Sequence, residues 1–211
     1  MLFEDRSEAG RLLARRLSKL NLSNAIVIAI PRGGVPLAFE IAKEFKAPFS
    51  VLAVRKIGAP TNPEFAIGAI TENNHYWINE SAAALTSAKA REIQSTIEIK
   101  NQEVLQMARQ LRQNQPLPSV EGRTAILVDD GLATGTTAVV AAQYLRQKGA
   151  SKVIMAVPVA AVDSLKTVSL HFDHVVCLKK AQRFFSVSFW YRNFSQVSTD
   201  EAVRILQTPN L

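Results

Sequence analysis

Apolar runs of strand length alternate with helical patterns along this 211-residue chain, and that alternation limits the fold more than any other feature. Such an order is typical of a parallel sheet with crossover helices. We therefore predict an α/β fold with a central sheet of about five parallel strands, at 24–30, 49–56, 124–128, 152–157 and 174–178. With 47% apolar residues, the chain can bury a core as a single domain spanning residues 1–211.

Helices and two appended units complete the predicted architecture. Apolar periodicity predicts helices at 9–20, 35–45 and 136–148, and a last helix near the end of the sequence. Alternating residues on both sides of the turn sequence ENN predict a hairpin, and we place a lid at about 57–79. Residues 81–114 trace one helical face, but a single helix there would span about 50 Å, so we expect a break or a protrusion. A small hood is expected at about 180–211.

Composition narrows the classes of site and partner. The only cysteine, Cys177, allows neither a disulfide framework nor a cysteine metal cluster, and its apolar neighbours favour an inert thiol over a reactive one. The net charge of +7 alone favours neither nucleic acid nor a small anionic ligand, but because the basic residues form no run we expect no nucleic-acid partner. Since no secretion signal or membrane-length apolar run is evident, we expect a cytoplasmic protein without a membrane partner.

The stretch AILVDDGLATGTT, residues 125–137, places two acids and a loop of small residues directly after a predicted buried strand. In open parallel sheets, the ligand crevice lies beyond the carboxyl ends of the strands. Exposed backbone N–H groups at a helix N-terminus suit a phosphate, whereas Asp129 and Asp130 suit the hydroxyls of an attached sugar or a metal ion between them. The stretch therefore predicts a ribose 5-phosphate site, with an ordinary strand-ending turn as the alternative.

Two other nucleotide loops fit this stretch less well. Thr136 stands where the Walker loop needs a lysine, and the third spaced glycine of the dinucleotide fingerprint is missing. The stretch instead resembles the signature of the type I phosphoribosyltransferases, which bind 5-phosphoribosyl 1-pyrophosphate (PRPP). This resemblance implies that Asp129 and Asp130 bind the ribose hydroxyls. It also implies that the 5-phosphate is held by Ala133, Thr134, Gly135, Thr136 and Thr137.

Two further turns offer ligands for the pyrophosphate group. Arg32, Gly33 and Gly34 follow the first strand and precede a helix, so backbone amides and a guanidinium would converge beside the first loop. A plain strand-to-helix turn is the alternative. Arg55 and Lys56 close the second predicted strand on the same sheet edge and would add two cations, unless they only cap an exposed strand end. Their resemblance to adenine-type and xanthine-type transferases implies that the next loop closes over the reacting centre and excludes water.

The resemblance also implies a reaction and a cofactor. The phosphoribosyl group would pass to a nitrogenous, purine-like base with release of pyrophosphate. Mg²⁺, held mainly by ligand oxygens with Asp129 or Asp130 directly or through water, would neutralise the leaving group. Ala133 occupies the position of the catalytic aspartate of the hypoxanthine and guanine enzymes, so that general base is missing here, as it also is in adenine-type and orotate-type members. Glu64 on the lid is our first candidate for proton transfer, and Glu72 is the second.

The acceptor site and the biological role stay open. Four aromatic residues beyond the last strand could stack on a planar base or pack under the terminal helix: Phe184, Phe185, Trp190 and Tyr191.

The chain as a whole resembles bacterial proteins described only as predicted phosphoribosyltransferases, and this description names no substrate. The alternative function is a regulatory or accessory protein that binds PRPP or ribose phosphate without turnover, and the lack of an added DNA-binding or zinc segment argues against it. A pyrophosphate-transferring synthase would need an adenine site, which is not evident. A homo-oligomer is left open.

Overall fold

A computed structural model describes residues 2–209 of the chain. Its strands, numbered in chain order, are β1 (Ala25–Ala29), β2 (Phe49–Val51), β3 (Val54–Ala59), β4 (Asn62–Thr71), β5 (His75–Ile78), β6 (Thr124–Val128), β7 (Lys152–Ala161) and β8 (His174–Ala181). The main sheet has the order β2-β1-β6-β7-β8, and all its neighbouring strands are parallel. The predicted α/β fold with five parallel strands is therefore confirmed.

Helices pack on both faces of the main sheet. They are α1 (Arg6–Leu17), α2 (Gly34–Phe45), α3 (Glu80–Ala84), α4 (Ala90–Arg112), α5 (Thr136–Gln147), α6 (Val162–Ser169) and α7 (Thr199–Gln207). Because side chains alternate along a strand, Val27 of β1 packs in a core with Leu13 of α1, whereas Ile26 and Ile28 pack in a second core with Val140 of α5. Every residue of β1 and β6 is buried, which explains their continuous apolar runs. Within residues 2–209, each helix is too short or too polar to cross a bilayer.

The prediction of one strand at 49–56 is wrong, because the chain changes sheets after Val51. Ala53 is the crossing point. Its N–H donates to the Glu72 carboxylate at 3.2 Å, and its carbonyl accepts from the Thr71 hydroxyl at 2.7 Å. These side chains bind the backbone that would otherwise extend β2, so the chain continues as β3, which pairs antiparallel with β4. The resulting sheet, β3-β4-β5, packs against α4 and α5.

The predicted hairpin is confirmed as the β4–β5 pair of this second sheet. Asn73 and Asn74 in its turn have φ angles of 56° and 55°. Asparagine is among the few residues other than glycine that adopt this left-handed region readily, so the ENN sequence matches the tight connection between the two strands.

The expected break in segment 81–114 is also confirmed, since α3 and α4 are separate helices there. The start of α4 is fixed by Glu92, whose carboxylate accepts a hydrogen bond of 2.7 Å from the Lys89 N–H. After β8, residues 182–198 contain only a short 3₁₀ turn, Ser188–Trp190, before α7 begins. Cys177 lies half-buried on β8, and burial raises the pKa of its thiol to about 11. The thiol is therefore protonated near neutral pH, in agreement with the predicted inert cysteine.

Candidate active site

The predicted phosphate loop follows the carboxyl end of β6, the middle strand of the main sheet. Leu132 anchors the loop to β7: its N–H donates to the Val159 carbonyl at 2.9 Å, and its carbonyl accepts from the Ala161 N–H at 3.0 Å. On the other side, the Ser164 hydroxyl of α6 donates to the Ala133 carbonyl. The loop therefore lies at the sheet edge where ligands of parallel α/β proteins bind.

The end of this loop forms an open helix N-terminus. Gly135 has a φ angle of 78°, and a Cβ there would overlap the Val168 side chain, so the turn requires glycine. Gly135 is the N-cap of α5, and within residues 2–209 no side chain caps this helix and no acid lies in its first turn. The amides of that turn are thus available to an anion, beside three nearby hydroxyls. These belong to Thr134, which is exposed, and to Thr136 and Thr137, which are half-buried.

The two acids of the loop have different surroundings. Asp129 Oδ1 accepts a hydrogen bond of 2.8 Å from the Asp130 N–H, and burial, followed by the neighbouring Asp130 charge, raises the pKa of Asp129 well above its usual value. Burial also raises the pKa of Asp130, although the Arg6 guanidinium opposes this. The Arg6 Nε and Nη2 atoms both lie 2.9 Å from Asp130 Oδ2. One acid is therefore ion-paired, and the other lies beside it with its charge disfavoured.

The turn between β1 and α2 packs directly on the signature acids. A Cβ at Gly33 would overlap the Asp130 carboxylate, and a Cβ at Gly34 would overlap the Val128 carbonyl. Both glycines are therefore required by close approach between the two turns. The Pro31–Arg32 peptide bond in this turn is cis. The predicted phosphate and pyrophosphate loops are thus brought together as the sequence suggests.

Arg32 is half-buried, and its Nη1 donates to the Thr199 hydroxyl at 3.3 Å. This contact joins the turn to the first residue of α7. A single long hydrogen bond leaves the other guanidinium donors of Arg32 for a ligand, so its role toward pyrophosphate stays a prediction.

Arg55 and Lys56 lie on β3 and not on the main sheet, so the premise that they end a strand of that sheet is wrong. Arg55 Nε lies 3.7 Å from a Glu103 carboxylate oxygen of α4. Lys56 Nζ donates to the Glu64 carbonyl at 3.0 Å and lies 3.9 Å from its carboxylate. Arg55 thus contacts α4 and Lys56 contacts β4, and the contact of either cation with pyrophosphate stays a prediction. The Glu64 side chain is 95% exposed on the same lid.

Glu72, the second candidate for proton transfer, lies in a buried ion pair. Its Oε1 and Oε2 atoms each accept a hydrogen bond of 2.6 Å from Arg112, and both side chains are 9% exposed. Oε1 also accepts from the Ala53 N–H. A carboxylate bound in this way joins α4 to the point where the chain changes sheets. We therefore assign a structural role to Glu72.

The aromatic residues beyond β8 divide into a packed and an exposed group. Phe184 and Trp190 are partly buried against the core, and Tyr191 is 6% exposed with its hydroxyl donating to the Asp130 carbonyl at 2.6 Å. Phe185 is 77% exposed and lies beside Phe189, with ring centroids 5.8 Å apart. Sequence analysis did not single out Phe189, although it lies in the same aromatic stretch. Among these aromatic residues of the described chain, Phe185 and Phe189 have the exposed faces that stacking on a base requires.

A divalent metal would find few protein ligands at this site. Within residues 2–209, no three side chains of metal-binding type cluster together. Asp129 and Asp130 are adjacent oxygen donors of the kind that Mg²⁺ prefers, but one of them is paired with Arg6. The residues therefore fit a metal that takes most of its ligands from a bound phosphate compound, and do not fit an all-protein metal site.

Comparison with known proteins agrees with this geometry. A family model described as phosphoribosyl transferase domain matches residues 6–191. Two Mycobacterium tuberculosis proteins, each named "Putative phosphoribosyl transferase", are 42% identical over 205 residues, which are 97% of this chain and 46% of each relative. The chain thus spans about half the length of these curated relatives.

Solved structures show the same fold. The crystal structure of TT1426 from Thermus thermophilus has a TM-score of 0.84 at 34% identity and covers 98% of both chains. A hypoxanthine phosphoribosyltransferase from Staphylococcus aureus has a TM-score of 0.50 at 14% identity, over 87% of this chain and 78% of that one, and shows likeness of fold alone. This chain belongs to the phosphoribosyl transferase family, because the family model matches residues 6–191 and the loop at the end of β6 packs against the turn between β1 and α2.

Proposed function

We propose that this protein binds PRPP together with Mg²⁺ and transfers its phosphoribosyl group to a nitrogenous, purine-like base, with release of pyrophosphate. The observation that carries the proposal is the contact between two turns: Gly33 packs on the carboxylate of Asp130. PRPP has a 5-phosphate and a pyrophosphate on opposite sides of one ribose. Two anion-binding turns with an acid pair at their junction match that arrangement of charges.

Each part of the site has a task in this reaction. Cleavage of the bond between the anomeric carbon and pyrophosphate makes the sugar ring positive and the leaving group more negative. The amides at the start of α5 hold the 5-phosphate, and Asp129 and Asp130 accept hydrogen bonds from the ribose hydroxyls. Arg32 and the amides of Gly33 and Gly34 bind the leaving group, and closure of the lid brings Arg55 and Lys56 to it. When bound, Mg²⁺ supplies further neutralisation of the pyrophosphate charge.

The acceptor base enters between the lid and the hood. The exposed faces of Phe185 and Phe189 support a planar acceptor, which is why we favour a purine-like base. Ala133 cannot take a proton, and Glu64 on the exposed lid reaches the reacting centre only if the lid closes. We place the reaction in the cytoplasm.

Binding without turnover is the second candidate function. It is favoured by the ion pair between Arg6 and Asp130, which occupies one oxygen of a proposed ribose ligand. Because the curated relatives are about twice as long, a regulatory or accessory role beside another segment fits the same site.

One experiment separates the two candidates. The protein is incubated with PRPP, Mg²⁺ and single purine or pyrimidine bases, and released pyrophosphate and new nucleotide are both measured. We expect nucleotide from at least one base, and no nucleotide from a Thr136→Val/Thr137→Val variant that lacks both hydroxyls of the first turn of α5. Binding of PRPP by calorimetry without product from any base would support the second candidate. Failure of both PRPP and ribose 5-phosphate to bind would contradict both candidates.

A further inference from the structure

The guanidinium of Arg6 is a part of the site that the family signature does not contain. Arg6 is the first residue of α1 and is 8% exposed, although it lies 124 residues before its carboxylate partner in the sequence. Its Nη1 donates to the Ser195 carbonyl at 2.7 Å, and its guanidinium carbon lies 3.8 Å from the centroid of the Phe194 ring. One side chain therefore connects α1, the signature loop and the hood.

These contacts restrict the orientation of Asp130. Arg6 reaches Oδ2 with two donors, the Asp129 side chain accepts from the Asp130 N–H, and the Tyr191 hydroxyl donates to the Asp130 carbonyl. Gly33 packs closest to the same oxygen, Oδ2, from the neighbouring turn. Since both Arg6 contacts go to Oδ2, the guanidinium leaves Oδ1 unengaged.

We propose that Arg6 is a positioning residue for sugar recognition: it holds Asp130 by Oδ2 so that Oδ1 is oriented to accept a hydrogen bond from a ribose hydroxyl. This inference rests on the proposed binding of a ribose phosphate. A planar guanidinium with several donors, stacked on Phe194, fixes a carboxylate more narrowly than a lysine could, because an ammonium group has no preferred plane. The carboxylate is thus oriented before the sugar arrives, and less conformational freedom is lost on binding.

The opposite possibility is that Arg6 blocks the site and must be displaced. The geometry argues against it, because Arg6 is held by three partners at once: Oδ2 of Asp130, the Ser195 carbonyl and the Phe194 ring. Displacement would break all three contacts and leave the Asp130 carboxylate, whose side chain is 14% exposed, without its cation, which is unfavourable.

The test compares two sugars that differ by one hydroxyl. Binding of ribose 5-phosphate and 2-deoxyribose 5-phosphate is measured by calorimetry for the wild-type protein, for Arg6→Gln and for Arg6→Lys. We expect the wild type to prefer ribose 5-phosphate by about 10- to 100-fold, the range for a hydrogen bond to a charged group. Both variants should bind the two sugars within about threefold of each other. A purely structural role would weaken both sugars equally and leave their ratio unchanged.

Two further variants keep the result interpretable. Arg11→Gln is the matched control, because Arg11 lies on the same helix, is 53% exposed and forms an ion pair with Glu40 away from the site. Its preference for ribose 5-phosphate should equal that of the wild type. If Arg6→Gln fails to fold, Tyr191→Phe removes only the hydrogen bond to the Asp130 carbonyl, and the preference should fall by about two- to tenfold.

The possible outcomes distinguish failure of the positioning role of Arg6 from failure of the proposed function. If wild type prefers ribose 5-phosphate and the Arg6 variants keep that preference, the positioning role is overturned and the proposed function stands. If Arg6→Gln binds ribose 5-phosphate more tightly than wild type, Arg6 blocks the site and the inference is wrong. If wild type binds PRPP but shows no preference between the two sugars, the acid pair does not read the hydroxyl, and the inference fails alone. If wild type binds neither PRPP nor the sugar phosphates, the proposed function fails and this inference with it.

Discussion

The substitution Glu72→Gln tests whether Glu72 stabilises the fold or takes part in catalysis. The two hydrogen bonds of 2.6 Å to Arg112, at 9% exposure of each side chain, form a buried ion pair. Removal of one partner from such a pair costs about 3–5 kcal/mol of unfolding free energy, because the other charge stays buried without compensation. Glutamine keeps an acceptor for Ala53 and for one Arg112 donor, so we expect the lower end, about 3 kcal/mol.

Thermal unfolding followed by circular dichroism measures this loss. For a chain of about 200 residues, each kcal/mol shifts the Tm by about 2–4 °C, so the expected decrease is about 6–12 °C. Product formation well below the Tm should stay at the wild-type level, because Glu72 does not touch the reacting centre in the proposed site. Arg109→Met, on the exposed side of the same helix, is the control and should change the Tm little.

Two results would contradict a structural role for Glu72. An unchanged Tm together with lost product formation would return Glu72 to the role of proton carrier. A double variant, Glu72→Met with Arg112→Met, should be more stable than Arg112→Met alone, because it leaves no unpaired buried charge. If the double variant is less stable than either single variant, the ion pair is not the source of the effect.

Three other substitutions test the site and the fold. Gly33→Ala should reduce PRPP affinity by about tenfold or more in calorimetry, because the added methyl group displaces the Asp130 carboxylate; equal affinity would contradict the contact between the turns. Arg32→Ala should weaken pyrophosphate binding by about 10- to 100-fold and ribose 5-phosphate binding much less, and equal losses would show that the subsite is misassigned. Burial alone would raise the pKa of Asp173, but hydrogen bonds from a backbone N–H and from Arg146 outweigh it and lower the pKa. The ionised Asp173 therefore stabilises the fold fully above its unfolded pKa of about 4, and this contribution is lost as pH falls through the lowered folded pKa. The Tm advantage of wild type over Asp173→Asn should shrink as pH falls from 6 to 3, and a constant difference would contradict this linkage.

Sequence patterns predicted the elements that depend on neighbouring residues. The apolar run before Asp129, the small-residue loop after it and the ENN turn each carry their signal within a few positions, and each is confirmed in the structure. The split of the strand at 49–56 could not be seen in the same way. It depends on Thr71 and Glu72, which bind the backbone of Ala53 from 18 and 19 positions away.

The contacts of Arg6 could not be predicted for a related reason. In the sequence, Arg6 precedes the predicted helix at 9–20, and nothing nearby marks it as different from the arginines of that helix. Its distinguishing partners are Asp130 and Ser195, which only folding brings close. Likewise, Tyr191 and Phe185 look equivalent in the aromatic stretch, and burial alone separates the packed ring from the exposed one.

The bond from Arg6 to the Ser195 carbonyl joins positions 189 residues apart, and this separation sets when the site can be completed during synthesis. Arg6 leaves the ribosome early, whereas its carbonyl partner is made last among its contacts. In an otherwise unfolded chain, closing a loop of that length costs about 4–5 kcal/mol in entropy, so the contact forms only after the sheet has brought both segments together. A nascent chain that has reached α5 thus carries the whole signature loop, while Asp130 still has neither a fixed Arg6 nor the Tyr191 hydroxyl beside it. We therefore expect the proposed sugar-binding part of the site to form late in folding, even though its sequence motif is synthesised long before.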